Sequence, residues 1–142
     1  AAQTAGFAEA DPSADLDGLD AANKLVLIAR AAWGVELDPA AVEAQSIRDL
    51  TPAVIAQARA AGRVLRQVAT VSRGLAGVRT RVRLDALAAD DALARTRDEG
   101  NCVSLTPERG AQVIVSGKGA GRAPTAASVA GDLGRLVRRL NQ

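Results

Sequence analysis

Partway along the chain the spacing of apolar residues changes from a helical period to a strand period, and this change constrains the fold more than any other feature. Leu19, Ala22, Leu25, Val26, Ala29 and Trp33 recur at three- and four-residue intervals, which puts them on one side of a helix, and Gly34 stands where that helix stops. From Arg63 the pattern shifts. Residues 63–71 have strand propensity. Over 78–84, Val78, Thr80, Val82 and Leu84 alternate with Arg79, Arg81 and Arg83, so one strand face is apolar and the other basic. Thr51 and Pro52 supply an N-cap and a first turn for a helix reaching about Ala61, with Gly62 as its stop. Residues 37–47 are ambiguous, and residues 8–18 read as a loop after a helix tail that ends at Gly6.

Further along, a short helical turn is expected near 90–95, then a hairpin of 101–106 and 112–116 around Pro107–Gly110. A last helix opens at Pro124 and Thr125. Val129, Leu133, Leu136, Val137 and Leu140 form its apolar stripe, and Arg135, Arg138 and Arg139 lie near its C-terminal end, where cations complement the helix dipole. The order helix, helix, strands, helix implies an α+β fold: a mixed or antiparallel β-sheet with helices packed on one face and a helix at the C-terminal end.

Composition narrows the function. Phe7 and Trp33 are the only aromatic residues, so the core has to be built from Ala, Val, Leu and Ile. A net charge of +2 over 142 residues is too weak a field to point to nucleic acid. With no His and a single cysteine, Cys102, neither an internal disulfide nor an all-protein metal site is expected. The longest apolar run, Leu25–Ala29, is broken by Arg30 and too short for a bilayer. No signal-peptide pattern is present, so a cytoplasmic location is expected. The absence of Met leads us to expect a piece of a longer protein.

Three clusters could carry chemistry. Glu9, Asp11, Asp15, Asp17 and Asp20 crowd into twelve residues with Pro12 and Gly18, a density that suits a cation or an amine ligand. An EF-hand fails, since aligning Gly18 with the loop glycine puts Lys24 where the bidentate Glu belongs; turn and N-cap duties would also explain these residues. Asp20 and Lys24, four apart, share a helix face. They could be a solvated ion pair worth about 0.3–0.5 kcal/mol, or an amine steered by a carboxylate to carry a proton. The second role requires burial, because a free lysine with a pKa near ~10.4 is a poor base at neutral pH. The third cluster is the Gly-rich run from Gly117 to Arg122 ahead of a helix. It matches neither a P-loop nor a dinucleotide fingerprint, and reads either as a flexible turn or as a site of close backbone approach. The arginine row of 79–83 reads as a solvated sheet face, and Cys102 as a small strand residue.

Taken together, Gly6-Phe7-Ala8-Glu9-Ala10-Asp11-Pro12 and the run from Asp15 through Gly18, Asp20 and Lys24 to Leu25 resemble the signature segment of homoserine dehydrogenases. That family writes it as G-[YF]-x-E-x-D-P, an acidic stretch, then G-x-D-x-x-x-K. Gly119-Ala120-Gly121, followed by Pro124-Thr125-Ala126 and Asp132, resembles the family's C-terminal G-A-G-x-x-x-T-A segment, so the likeness spans nearly the whole chain. Lys118 departs from the proline often found there.

The resemblance implies reversible hydride transfer between L-homoserine and aspartate semialdehyde with NADP or NAD, in threonine and methionine biosynthesis. Lys24 would be the catalytic proton donor and acceptor. Asp20 would hold substrate and orient Lys24, Glu9 would bind the substrate amino group, and Asp15 would join the polar network. Gly6, Glu9 and Gly121 would approach the cofactor. Residues 1–118 would form the substrate-binding and dimerisation region of a homodimer, and 119–142 a loop and helix completing a nucleotide-binding domain. The cofactor fingerprint, the family's upstream lysine, its monovalent-cation site and the regulatory extension of some members are not in this sequence, so the chain alone is expected to be inactive. The alternatives are a non-catalytic dimerisation or ligand-binding module and a nucleotide-binding protein using the 117–122 loop.

Overall fold

The computed structural model describes residues 11–119 and 121–141, which fall into two compact units, one of residues 11–94 and one from Arg95 onward. The boundary expected after residue 118 lies inside the second of these.

The first unit contains α1 (Ser13–Leu16), α2 (Leu19–Trp33), a 3-10 turn (Pro39–Ala41), β1 (Glu43–Ala44), α3 (Pro52–Ala60), β2 (Arg63–Gly74) and β3 (Gly77–Ala88). A further short helix, α4 (Ala92–Arg95), follows β3. The strands form a mixed sheet in the order β1-β3-β2, with β1 parallel and β2 antiparallel to β3. Both Ala44 and Ala69 register opposite Val82, which is fully buried at the centre of the sheet. The alternation in 78–84 emerges as expected: Arg79, Arg81 and Arg83 are exposed, while Val78, Thr80, Val82 and Leu84 are at least partly buried.

Helix α2 covers this sheet. Ala22 and Leu25 join Val42 and Val82 in the core, with Ala21, Val26, Ala44 and Val71 packed around them. Gly34, at φ +66°, closes the helix by donating its N–H to the Arg30 carbonyl at 2.9 Å. At the other end Gly18 caps it at φ +77°. A Cβ on Gly18 would stand 3.0 Å from Val82 Cγ1 and 3.4 Å from Gln67 Nε2, so glycine lets the start of α2 lie directly against the sheet. Thr51 caps α3 as its sequence suggests, its hydroxyl accepting from Val54 N–H at 3.4 Å.

Two details differ from the sequence reading. Four residues of the expected 8–18 loop wind into α1, and the ambiguous 37–47 stretch resolves into the 3-10 turn and β1. Asp38 caps that turn by accepting from Ala40 N–H at 2.9 Å. The β1 ladder is only two residues long, but Gln45 extends it: its N–H donates to the Val82 carbonyl at 2.8 Å and its side-chain oxygen accepts from Leu84 N–H at 3.1 Å.

In the second unit β4 (Gly100–Leu105) and β5 (Val113–Lys118) form an antiparallel pair, the hairpin expected around Pro107–Gly110. Here the strands make a separate two-stranded sheet rather than extending the first. Val103 faces Val115 and Leu105 faces Val113, giving one apolar side. Helix α5 (Arg122–Leu140) begins two residues ahead of Pro124. Proline is tolerated there because first-turn N–H groups have no partner within the helix. The α+β class, the mixed sheet and the C-terminal helix thus agree with the sequence.

Candidate active site

The geometry around α2 starts at its entry turn. Asp17 precedes Gly18, and its carboxylate takes both fork nitrogens of Arg48, Nε to Oδ1 at 2.6 Å and Nη2 to Oδ2 at 2.8 Å. The Ser46 hydroxyl donates to the same Oδ1 at 2.9 Å. These bonds to the charged form, the arginine first and the serine second, hold the Asp17 carboxyl down at about 2 and push the Arg48 guanidinium up. Asp11 is drawn down as well, chiefly by the hydroxyl and N–H of Ser13.

One turn into α2, Lys24 Nζ meets Asp20 Oδ2 at 2.6 Å. Their side chains are 59% and 46% exposed respectively, on the helix side away from the core. The i, i+4 expectation is met. The burial that a lysine base requires is not supplied by the residues around the pair. Asp15 lies on α1 with its side chain exposed, while its backbone carbonyl accepts from Gly18 N–H at 3.2 Å, so it helps shape the turn from which α2 starts. Gly6 and Glu9 lie outside the described residues.

Gly121, in the second unit, sits at φ +111° and ψ +154°, a conformation essentially restricted to glycine, and caps α5. The Thr125 hydroxyl donates to its carbonyl at 2.9 Å. Just before it, the loop is fastened by Lys118 Nζ on Glu99 Oε1 at 2.8 Å and by Gly119 N–H on the Glu99 carbonyl at 2.8 Å. The ion pair lowers the Glu99 carboxyl and raises the Lys118 amine. A Cβ at Gly119 would meet the side-chain amide of the exposed Asn101, which would have to swing aside. Among the described residues no group of His, Cys, Asp and Glu is arranged to hold a metal ion, and no helix is long and apolar enough to cross a membrane.

Sequence reasoning found Asp20 and Lys24 because helical spacing joins them. It missed Arg48 and Ser46, about thirty residues from Asp17 along the chain, and the Glu99–Lys118 pair. No periodic signal links such positions.

Fold and site together define an α+β domain that offers a carboxylate–amine pair on the open side of a helix packed against a mixed sheet. The family model described as homoserine dehydrogenase matches residues 1–133, and the chain belongs to that family. It is 38% identical to a homoserine dehydrogenase of Synechocystis, aligned over 96% of this chain and 33% of the relative. A solved homoserine dehydrogenase from Thiobacillus denitrificans superposes with a TM-score of 0.85 at 30% identity, over 93% of this chain and 31% of that one. A hyperthermophilic archaeal homoserine dehydrogenase in complex with NADPH gives 0.77 at 28% identity, over 97% and 38%. The chain therefore spans about a third of the length of the relatives it matches.

Proposed function

We propose that this chain forms the substrate-binding part of an NAD(P)-dependent homoserine dehydrogenase that interconverts L-homoserine and L-aspartate 4-semialdehyde in the cytoplasm, as a homodimer, for threonine and methionine biosynthesis. The observation that carries this reading is the Asp20–Lys24 pair on α2, 2.6 Å apart, within a segment matched by the family model.

In the reductive direction the Lys24 ammonium gives a proton to the aldehyde oxygen as hydride reaches the carbon; in the oxidative direction Nζ first passes its proton to solvent, and the neutral amine then accepts the proton of the substrate hydroxyl. Asp20 holds the amine in line and offers its remaining lone pairs to substrate. Glu9 binds the substrate amino group and Asp15 supports the polar network. An amine that moves a proton in step with the loss of hydride from the same carbon lowers the barrier by avoiding a charged alkoxide or a protonated carbonyl. Desolvation comes from the bound substrate and from the rest of the longer protein, because the pair is open in this chain.

The side-chain-free backbone of Gly121 at the start of a 19-residue helix suits the close approach of a flat ring, and a relative binds NADPH. Gly6, Glu9 and Gly121 would line the nicotinamide end. When bound, the cofactor supplies or receives the hydride. Substituting Lys24→Met in the full-length protein tests the assignment. Turnover is expected to fall by about 10²–10⁴-fold with an unchanged melting temperature, and near-wild-type turnover would defeat it.

A further inference from the structure

The turn that launches α2 is tied to the sheet more firmly than a helix start requires, and the chemistry proposed above uses none of these ties. Both nitrogens of the Arg48 fork engage both oxygens of Asp17, which fixes the plane of the carboxylate as well as its position. The Ser46 hydroxyl adds a third bond to Asp17. Its oxygen also accepts the Arg48 N–H at 3.2 Å, so the clasp is braced from within. Alongside, Ile47 N–H donates to the Leu16 carbonyl at 2.8 Å. Gln45, next in the chain, is hydrogen-bonded to β3 on both sides of Arg83. The 45–48 segment therefore runs as a strap from the sheet to the residue before Gly18.

Asp20 follows Gly18 by two residues and Lys24 by six, so the position and rotation of this turn set where both side chains point. The packed side of α2 buries Ala22, Leu25 and Ala29 and partly buries Val26, and the clasp adds a polar tie to that packing at the start of the helix. Proton transfer needs its partners within about 2.6–3.2 Å, and misplacement by an ångström can cost about 100-fold in rate.

We propose that Arg48, by clasping Asp17, is a positioning residue for the Asp20–Lys24 pair, holding the first turn of α2 at the rotation the reaction needs. This rests on the proton-transfer role proposed for Lys24. In the full-length protein, Arg48→Ala and Asp17→Asn are each expected to lower kcat for homoserine oxidation about tenfold, while KM for homoserine changes by less than about twofold. The double substitution should cost no more than either single one, because both break the same contact. Arg48→Lys should recover part of the loss, since its ammonium can engage the carboxylate but not as a planar fork.

Thermal melts on every variant separate loss of fold from loss of rate. Where Arg48→Ala fails to fold, Arg48→Lys and Asp17→Asn carry the test. Wild-type kcat in the folded variants, with only a lower melting temperature, overturns the proposal and leaves the clasp a structural tie. Lys24→Met, assayed alongside, keeps the two possible failures apart. If Lys24→Met retains wild-type turnover, the proton-transfer reading falls and the positioning role falls with it. If Lys24→Met is inactive while Arg48→Ala is unimpaired, the positioning role alone is lost.

Discussion

The two compact units put similar apolar stripes to opposite uses. In the first, the stripe of α2 is covered: Ala22, Leu25 and Ala29 are buried on the mixed sheet. In the second, Val129, Leu133, Leu136, Val137 and Leu140 of α5 are all more than half exposed, as are Val113 and Val115 of the hairpin or nearly so. Every buried apolar residue among the described ones belongs to the first unit. A period in the sequence says which side of a helix is apolar and nothing about what covers it. The contrast bears on function as well. Because α2 is satisfied on one side and clasped at its start, the opposite side is free to hold Asp20 and Lys24 in a fixed relation. Helix α5 carries its own charges, including the Arg135–Asp132 pair.

Unfolding measurements on the 142-residue chain can break this contrast. Leu25→Ala is expected to cost about 2–5 kcal/mol, the usual toll for emptying a buried leucine site. Leu136→Ala should change stability by less than about 0.5 kcal/mol, as at other exposed positions. Urea titrations of both variants decide the matter, and equal losses would mean that the α5 stripe is covered after all.

A smaller effect is expected from the Asp17–Arg48 clasp. The folded pKa of Asp17 is depressed to about 2, against an unfolded value near ~3.9. The stability it contributes is therefore fully present above that ordinary carboxylate range and is lost as pH falls toward and through 2. Thermal melts of wild type and Asp17→Asn between about pH 2 and pH 6 should differ most at the upper end and converge at the lower. A gap that stays constant with pH would remove the charged clasp from the account.

Much of the fold was legible in the sequence because the signals are local. Helix α2 announced itself by its apolar spacing and by Gly34, α3 by Thr51-Pro52, β3 by strict alternation, and the hairpin by two short runs around Pro107–Gly110. The pairing of β1 with β3 was not legible. Two residues carry no period, and the bond is parallel between segments almost forty residues apart. For the same reason the division of the strands into two sheets went unseen. The site divides along the same line. Asp20 and Lys24 could be joined by helical spacing, whereas the partner of Asp17 lies 31 residues away and reaches it only through the folded chain. Burial of the pair is a property of tertiary structure, and its open state could not be foreseen from spacing.

The central claim is that the amine of Lys24 carries the substrate proton while Asp20 aligns it. Chemical rescue tests this most directly: formation of reduced nicotinamide from homoserine by the full-length Lys24→Ala protein, with and without added ethylamine. The account expects turnover to fall by about 10²–10⁴-fold, then to rise with amine concentration, while Asp20→Ala gains nothing from the same amine. Lys24→Ala turning over at the wild-type rate without any amine would contradict it.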